Sequence, residues 1–265
     1  MAVTQAEKGA RFRALHEGQP FLIPNPWDAG GARVMEALGF EALATTSSGL
    51  AFTLGRLDGE ASLDEVIAHV ELLASVTEVP LAVDLEDGHG PQAEDAARAI
   101  ERAAAAGAVG GSIEDFDRIG GRLYGVEEAA DRVAAAVAAA AALDFPFVLT
   151  ARAENHIRGN PDLDDTIVRL RAYEAAGAEV LYAPGLGDAD EVRAVCEAVG
   201  RPLNVLAHRG LSVAEVFAAG AQRISVGGAL AWVAVEAMAD AAIAMRDQGD
   251  LSSLAGASRI RAWLR

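Results

Sequence analysis

The chain has 265 residues, with 22 Lys and Arg against 39 Asp and Glu for a formal net charge of -17, and 52% of its residues are hydrophobic. That apolar content suffices for a substantial core and excludes disorder of the whole chain, while the acidity excludes the basic footprint needed by a partner of nucleic acid or an anionic membrane. Cys196 is the only cysteine. This excludes an internal disulfide framework, cysteine-based zinc or iron–sulfur cages and a dithiol redox pair, and it suits a reducing compartment.

The segment MAVTQAEKGARFRALHEG mixes charged and polar residues with no apolar h-region, and no run is long and apolar enough to span a bilayer. A cytoplasmic protein without a membrane partner is the expectation. From Pro20 a strand-then-helix unit repeats along the chain. FLIPN precedes WDAGGARVMEALG, ALATTS at 42–47 precedes LDEVIAHVELLASVT, and PLAVDLED at 80–87 precedes AEDAARAIERAAAAG, closed by Gly107 as a helix cap. AVGGSIED at 108–115, PFVLTARAEN at 146–155, AEVLYAPG at 178–185 and PLNVLAH at 202–208 are each followed by a helical run, and RISVGGA at 223–229 leads into a long helix ending near Arg246.

The strand runs are continuously apolar rather than alternating, as in a parallel sheet covered by helices. Eight such units without a dividing linker predict an α/β fold, a closed (β/α)8 TIM barrel, more readily than an open doubly wound sheet. The expectation is one barrel domain over 1–265, with 247–265 as a C-terminal helical extension. Leu251, Leu254, Ile260, Trp263 and Leu264 of that extension need a surface to cover, on this subunit or on a neighbour.

In such a barrel the active site lies where the strands end, and unusual polar residues collect there. Asp84, Glu86 and Asp87 close the third strand, Glu114 and Asp115 the fourth, Arg152, Glu154 and Asn155 the fifth, and Asn204 and His208 mark the seventh. Asp84 and Glu86 are two apart on an extended chain, so both side chains are expected on one face of the sheet. Crowded carboxylates repel one another, and a bound cation would relieve this; with only oxygen ligands on offer, magnesium or manganese is favoured over zinc. Some of these acids could instead cap the following helices, although Glu94 and Asp95 stand better for that.

The Arg152 fork could hold a substrate carboxylate or phosphate, or pair internally with Glu114 or Glu154. The segment SSGLAFTLGRLDGE after the second strand offers Ser47, Ser48, Gly49, Leu50 and Asp58 to an anion. Gly227 and Gly228 suit either a phosphate cradle or close helix packing. Cys196 in VRAVCEAV reads as a small core hydrophobe, and His16 and His69 as structural or solvent-facing. His89 and His156 lie in strand-end loops, where they could act as supporting donors or acids.

Together, PNPWDAGGARVMEALGFEALATTSSG, VDLEDGHG, GGSIED, LTARAEN and NVLAH, in this order, resemble the isocitrate lyase and phosphoenolpyruvate mutase superfamily over about residues 12–245. The resemblance implies a (β/α)8 barrel whose eighth helix is exchanged with a partner subunit, in a homodimer or homotetramer. It implies Mg²⁺, with Mn²⁺ as a substitute, held by Asp84, Glu86 and Glu114. It further implies a small carboxylate substrate held by Ser47, Gly49, Leu50, Asp84 and Arg152, with Asn204 on the far wall and Asp58 on a mobile loop. Arg152, Asp58 and Glu114 would carry catalysis.

The chain departs from the lyase branches of that family. Their K-[KR]-C-G-H segment is replaced by DFDRIGGRLYGVEEA, which lacks Lys, Cys and His, Pro184 stands where they have a glutamate, and Ser112 where they have a histidine. The longer gating loop of the mutase and phosphonopyruvate hydrolase branches is absent too. What survives is stabilisation of an enolate as a bond to C3 of a 2-oxo acid breaks. The expected activity is therefore a carbon–carbon lyase or decarboxylase for a small 2-oxo or 2-hydroxy dicarboxylate. Phosphorus–carbon mutase or hydrolase chemistry and a non-catalytic metabolite-binding barrel are the alternatives.

Overall fold

The computed structural model describes residues 3–254, 256 and 258–264. Eight parallel strands alternate with helices. After α1 (Gln5–Glu17) come β1 (Phe21–Ile23), α2 (Ala29–Ala37), β2 (Leu43–Ala44), α3 (Ser47–Thr53), α4 (Leu63–Val76), β3 (Leu81–Asp84), α5 (Ala93–Ala105) and β4 (Gly110–Glu114). A short antiparallel hairpin, β5 (Phe116–Asp117) and β6 (Arg122–Leu123), leads to α6 (Val126–Ala141), β7 (Val148–Arg152), α7 (Leu163–Ala175), β8 (Val180–Tyr182) and α8 (Ala189–Ala198). The chain continues through β9 (Leu203–Leu206), α9 (Val213–Ala218), β10 (Arg223–Ser225), α10 (Ala229–Gln248) and α11 (Ser258–Trp263).

The ladder runs β1-β10-β9-β8-β7-β4-β3-β2, so its first and last strands are consecutive in the chain. One backbone hydrogen bond joins those two ends, from Ala44 N to Pro24 O at 3.1 Å. The sheet is thus a nearly closed barrel rather than an open sheet, and every strand points its carboxyl end at the same mouth.

Small side chains on the helix faces let the outer layer come close. Ala96, Ala99, Ile100 and Ala103 of α5 recur at helical spacing and are buried, and α5 packs against α6, which buries Ala129, Val133 and Ala136. Burying Ile100 alone contributes about 1.5–3 kcal/mol. Gly107 ends α5 at φ 106, a left-handed conformation that glycine adopts without strain.

Phe12 of α1 plugs the opposite end of the barrel against Phe21, Ile23, Val148 and Val180. It fits because Gly110 has no side chain, since a Cβ there would lie 2.5 Å from Phe12.

His16 is buried beside that plug rather than facing solvent. Its Nδ1 donates to Phe12 O at 2.8 Å, and its Nε2 accepts from Arg223 Nη1 at 3.0 Å. Burial, and then the Arg223 charge, push its pKa down to about 3. The unfolded chain binds that proton near the ordinary value of about 6.5, so this contribution to stability is complete above pH 6.5 and is lost as pH falls toward 3. Urea titrations of His16→Gln between pH 4 and 7 should therefore show a shallower acid loss than the parent, by up to about 1.4 kcal/mol per pH unit.

His69 is buried as well, while half-buried Cys196 packs against the core. Among the described residues no helix is long and apolar enough to cross a membrane. The expected short C-terminal helix is present as α11, which touches α2 of the same chain, and Leu251, Leu254, Ile260 and Leu264 remain exposed.

Candidate active site

The strand ends bring Asp84, Glu114 and Arg152 together. Arg152 Nη1 lies 3.4 Å from Glu114 and 3.9 Å from Asp84, its Nε pairs with Glu154, and its guanidinium sits 5.1 Å from the centre of the Tyr182 ring. The substrate-binding and internal-pairing readings of Arg152 are therefore compatible, because Glu154 takes the Nε edge and fixes the direction of the fork. Glu154 is wholly buried and pairs on its other oxygen with Arg158, at 3.0 Å. Arg158 adds a second guanidinium to the mouth, 3.6 Å from Glu114 and stacked 3.8 Å above Phe116.

Asp84 caps β3. It accepts from Ser47 N and Ser112 Oγ, each at 3.4 Å, and from Glu86 N at 3.3 Å. Glu86 does not continue the strand, and the expected shared strand face is corrected here. β3 stops at Asp84 and Glu86 takes a left-handed φ of 49°, in a turn closed by Gly88 N to Leu85 O at 2.8 Å. That turn still delivers Glu86 to the mouth, where it lies 3.5 Å from Arg118.

Burial, reinforced by the Asp84 charge, raises the Glu86 pKa to about 8. Burial also holds Glu114 well above the ordinary carboxylate range; Arg152 opposes this, and Glu154 and Asp84 add to it. Glu86 is accordingly mostly protonated at pH 7 unless further positive charge reaches it.

A cavity of about 270 Å³ opens over this group, lined by Ser47, Asp58, Glu86, Glu114, Arg152 and Arg158 among others. Asp58 is exposed on the loop above it. That loop is tied down by Arg118, which donates to Gly59 O at 3.0 Å and Ala61 O at 3.1 Å. Gly49 and Leu50 are placed differently. The segment after β2 is not an irregular loop but the short helix α3, because Thr46 caps it by accepting from Gly49 N, and Leu50 N bonds Thr46 O. Both residues are buried, with their amides spent inside α3.

Asn204 lies deeper, in the barrel interior, donating to Ser225 Oγ at 3.0 Å and accepting from Arg223 Nε at 2.8 Å. Asp87 and Asp115 are buried pairing groups, the first with Arg118 at 3.2 Å and the second with Arg169 at 2.9 Å. His89 and His156 carry buried ring nitrogens without partners; burial, with the Arg118 charge, lowers the His89 pKa to about 4, so its ring is neutral. Gly227 makes no phosphate cradle, since its amide and that of Val226 both donate to Asn25 Oδ1 at 2.9 Å. Gly228 answers to close packing, because a Cβ there would meet Ser48 and Trp232.

Arg118, Arg158 and Arg223 escaped the sequence reading. The available signals were an arginine one turn after Glu154 and a charged residue opening the apolar strand run RISV. Among the described residues no three His, Cys, Asp or Glu side chains are grouped tightly enough to hold a metal by themselves.

The phosphoenolpyruvate phosphomutase family model matches residues 12–246. The chain belongs to the isocitrate lyase and phosphoenolpyruvate mutase superfamily. This superfamily's general chemistry is that of lyases and mutases acting on carboxylates. A solved Burkholderia cenocepacia J2315 protein described only at the level of a lyase/mutase superposes with a TM-score of 0.94 at 48% identity, over 98% of this chain and 96% of its own. The 2-methylisocitrate lyase of Escherichia coli K12 is 34% identical over 206 residues, 74% of this chain and 68% of that enzyme. Oxaloacetate acetylhydrolase, solved with the inhibitor 3,3-difluorooxalacetate, superposes with a TM-score of 0.88 at 25% identity, over 97% of this chain and 93% of its own.

Proposed function

We propose that this superfamily member is a magnesium-dependent carbon–carbon lyase or decarboxylase acting on a small 2-oxo or 2-hydroxy dicarboxylate through an enolate. The observation that carries the reading is Arg152, fixed by Glu154 and Tyr182 beside Asp84 and Glu114 at the mouth. The likeness to 2-methylisocitrate lyase and oxaloacetate acetylhydrolase supports it.

The residues fit a hard dication. The donors are all oxygens, Glu86 Oε1 is buried without a partner, and nearby positive charge would favour the ionised forms of Glu86 and Glu114. Magnesium commonly binds through one or two carboxylates and keeps waters, so a tight three-residue cluster is not required. Asp84, Glu86 and Glu114 would hold it, and manganese would suit the same donors. When bound, the ion would supply positive charge beside the 2-oxygen: with a 2-oxo dicarboxylate it would stabilise the charge that develops there as the bond from C3 to the departing carboxylate breaks, and with a 2-hydroxy dicarboxylate it would favour loss of the hydroxyl proton before the C2–C3 bond breaks.

Arg152 binds the substrate's oxyanionic end with the fork edge that Glu154 leaves free. Ser47 lines the same cavity, and Asp58 overhangs it on the loop that Arg118 anchors. The β5–β6 hairpin carries no Lys, Cys or His to protonate a leaving group. Carbon dioxide leaves without a proton, and the enolate left behind takes its proton at C3 from water, so this route needs no residue on the hairpin and decarboxylation is favoured within this reading.

A panel of oxaloacetate, substituted malates, methylisocitrate and phosphonopyruvate, assayed for released pyruvate or glyoxylate, tests the proposal. We expect turnover of a dicarboxylate that disappears on exhaustive chelation and returns with Mg²⁺ or Mn²⁺. Turnover of phosphonopyruvate alone would transfer the assignment to phosphorus–carbon chemistry, and binding without turnover would make the protein a metabolite-binding barrel.

We also propose a single barrel domain that assembles as a homodimer or homotetramer through α10; α11 of the 247–265 extension instead lies against α2 of its own chain, which corrects the expectation that this helix packs on a neighbour. Of the 20 residues of α10 only Ala231 is buried, while Val233 and Met238 are 66% and 61% exposed. Light scattering at micromolar concentration should give a dimer or tetramer mass, and a monomer would refute the assembly. Cys196, without a second thiol in the chain, suits the cytoplasm as the site of action.

A further inference from the structure

Beneath the mouth a second cavity of about 70 Å³ descends into the barrel, bordered by Asp84 and Arg152 above and by Thr150, Asn204, Arg223 and Ser225 below. Barrel interiors are ordinarily filled by branched apolar side chains. Here Arg152, Tyr182, Asn204 and Arg223 are successive register partners across β7, β8, β9 and β10, which makes a polar belt. Arg223 enters that belt from the first residue of β10 and reaches Thr150 Oγ1, at 3.1 Å, one pleat below Arg152 on β7.

The two arginines differ in their company. Arg152 has three carboxylates within 4 Å. Arg223 is buried and, among the described residues, has no carboxylate within that distance, only the neutral acceptors of Asn204, His16 and Thr150. A guanidinium has five N–H donors, so these three bonds leave donor capacity unspent. Burial lowers its pKa to about 10, as expected for a cation taken out of water without a counter-ion. The cavity beside it is large enough for several waters or for a carboxylate group.

We propose that the floor of the barrel is an anion subsite, in which Arg223, supported by Thr150, Asn204 and Ser225, holds a small anion entering through the mouth. Two sources share that chemistry, the second carboxylate of a bound dicarboxylate and a free halide. Only the first of these rests on the function proposed above. His16 serves as a positioning residue, because its Nε2 fixes one edge of the guanidinium and leaves the remaining donors toward the cavity.

The test uses the full-length protein and no turnover, so its failure is distinct from failure of the lyase reading. Crystals soaked in sodium bromide should show an anomalous peak within hydrogen-bonding distance of Arg223. In parallel, calorimetry compares malate with lactate, two 2-hydroxy acids that differ by one carboxylate. If the subsite takes the substrate's carboxylate, the parent prefers malate by about tenfold or more, Arg223→Met loses that preference and Arg223→Lys keeps part of it.

Bromide at the floor without an Arg223-dependent malate preference assigns the subsite to a free inorganic anion. No bromide, together with a malate preference that is absent or survives in folded Arg223→Met, overturns the proposal. If neither variant folds, the bromide map of the parent decides alone.

Discussion

Asp84→Ala should lower turnover of the best dicarboxylate by about 100-fold or more, the scale of losing a direct electrostatic contact to developing charge. Asp84 is the carboxylate that closes β3 at the mouth, oriented by Ser47 N, Ser112 Oγ and Glu86 N. Its removal takes away one of the three carboxylates proposed above to hold the cation, and it also removes a charge that raises the Glu86 pKa. Folding should be spared, because Asp84 is half-buried and its approach to Arg152 is 3.9 Å, too long for a strong pair. Steady-state kinetics and a thermal melt on the same preparation separate the two effects. An Asp84→Ala protein as active as the parent, or a parent fully active without metal, would discard the enolate mechanism. Arg152→Lys should be damaging too, since an ammonium cannot both fill the Glu154 pair and present a second fork edge to the substrate.

Asp115→Ala should cost about 3–5 kcal/mol of folding stability, the range for breaking a buried ion pair from one side. Asp115 is 2% exposed and joins three elements. Its Oδ2 accepts from Arg169 Nη1 at 2.9 Å and from the Tyr173 hydroxyl at 2.5 Å, while its Oδ1 accepts from Glu154 N at 2.7 Å. Alanine would leave three buried donors without that partner. Against a stability of about 5–15 kcal/mol for a typical domain, this is a large fraction, and urea unfolding should show it as a lowered midpoint. The effect should extend to the site, because the Glu154 backbone that Asp115 holds is the one that carries the partner of Arg152. A variant within about 1 kcal/mol of the parent would show that solvent or neighbouring groups replace the network.

The strand-and-helix beat was legible in the chain because burial on both faces of a parallel sheet demands continuous apolar runs, and helices covering it demand a 3.6-residue stripe. PLAVD, FVLTAR and AEDAARAIERA announce β3, β7 and α5 without knowledge of any neighbour. The placement of Asp84, Glu114 and Arg152 at one mouth followed as well, since every strand of a parallel barrel ends on the same side.

Conformation after a strand end was not legible in the same way. Glu86 reads as a strand residue in VDLED, yet it sits at positive φ because the chain must turn toward α5, and Gly49 with Leu50 are helical because Thr46 caps them. Nor could spacing reveal Arg223. A single arginine opening an apolar run has no periodic signature, and its burial depends on His16, Asn204 and Thr150, which lie 207, 19 and 73 residues away. Local pattern determined which elements form, because it reports burial of each face. Only the nearly closed barrel decided which polar groups meet inside it, because their partners are set by register across strands distant in the chain.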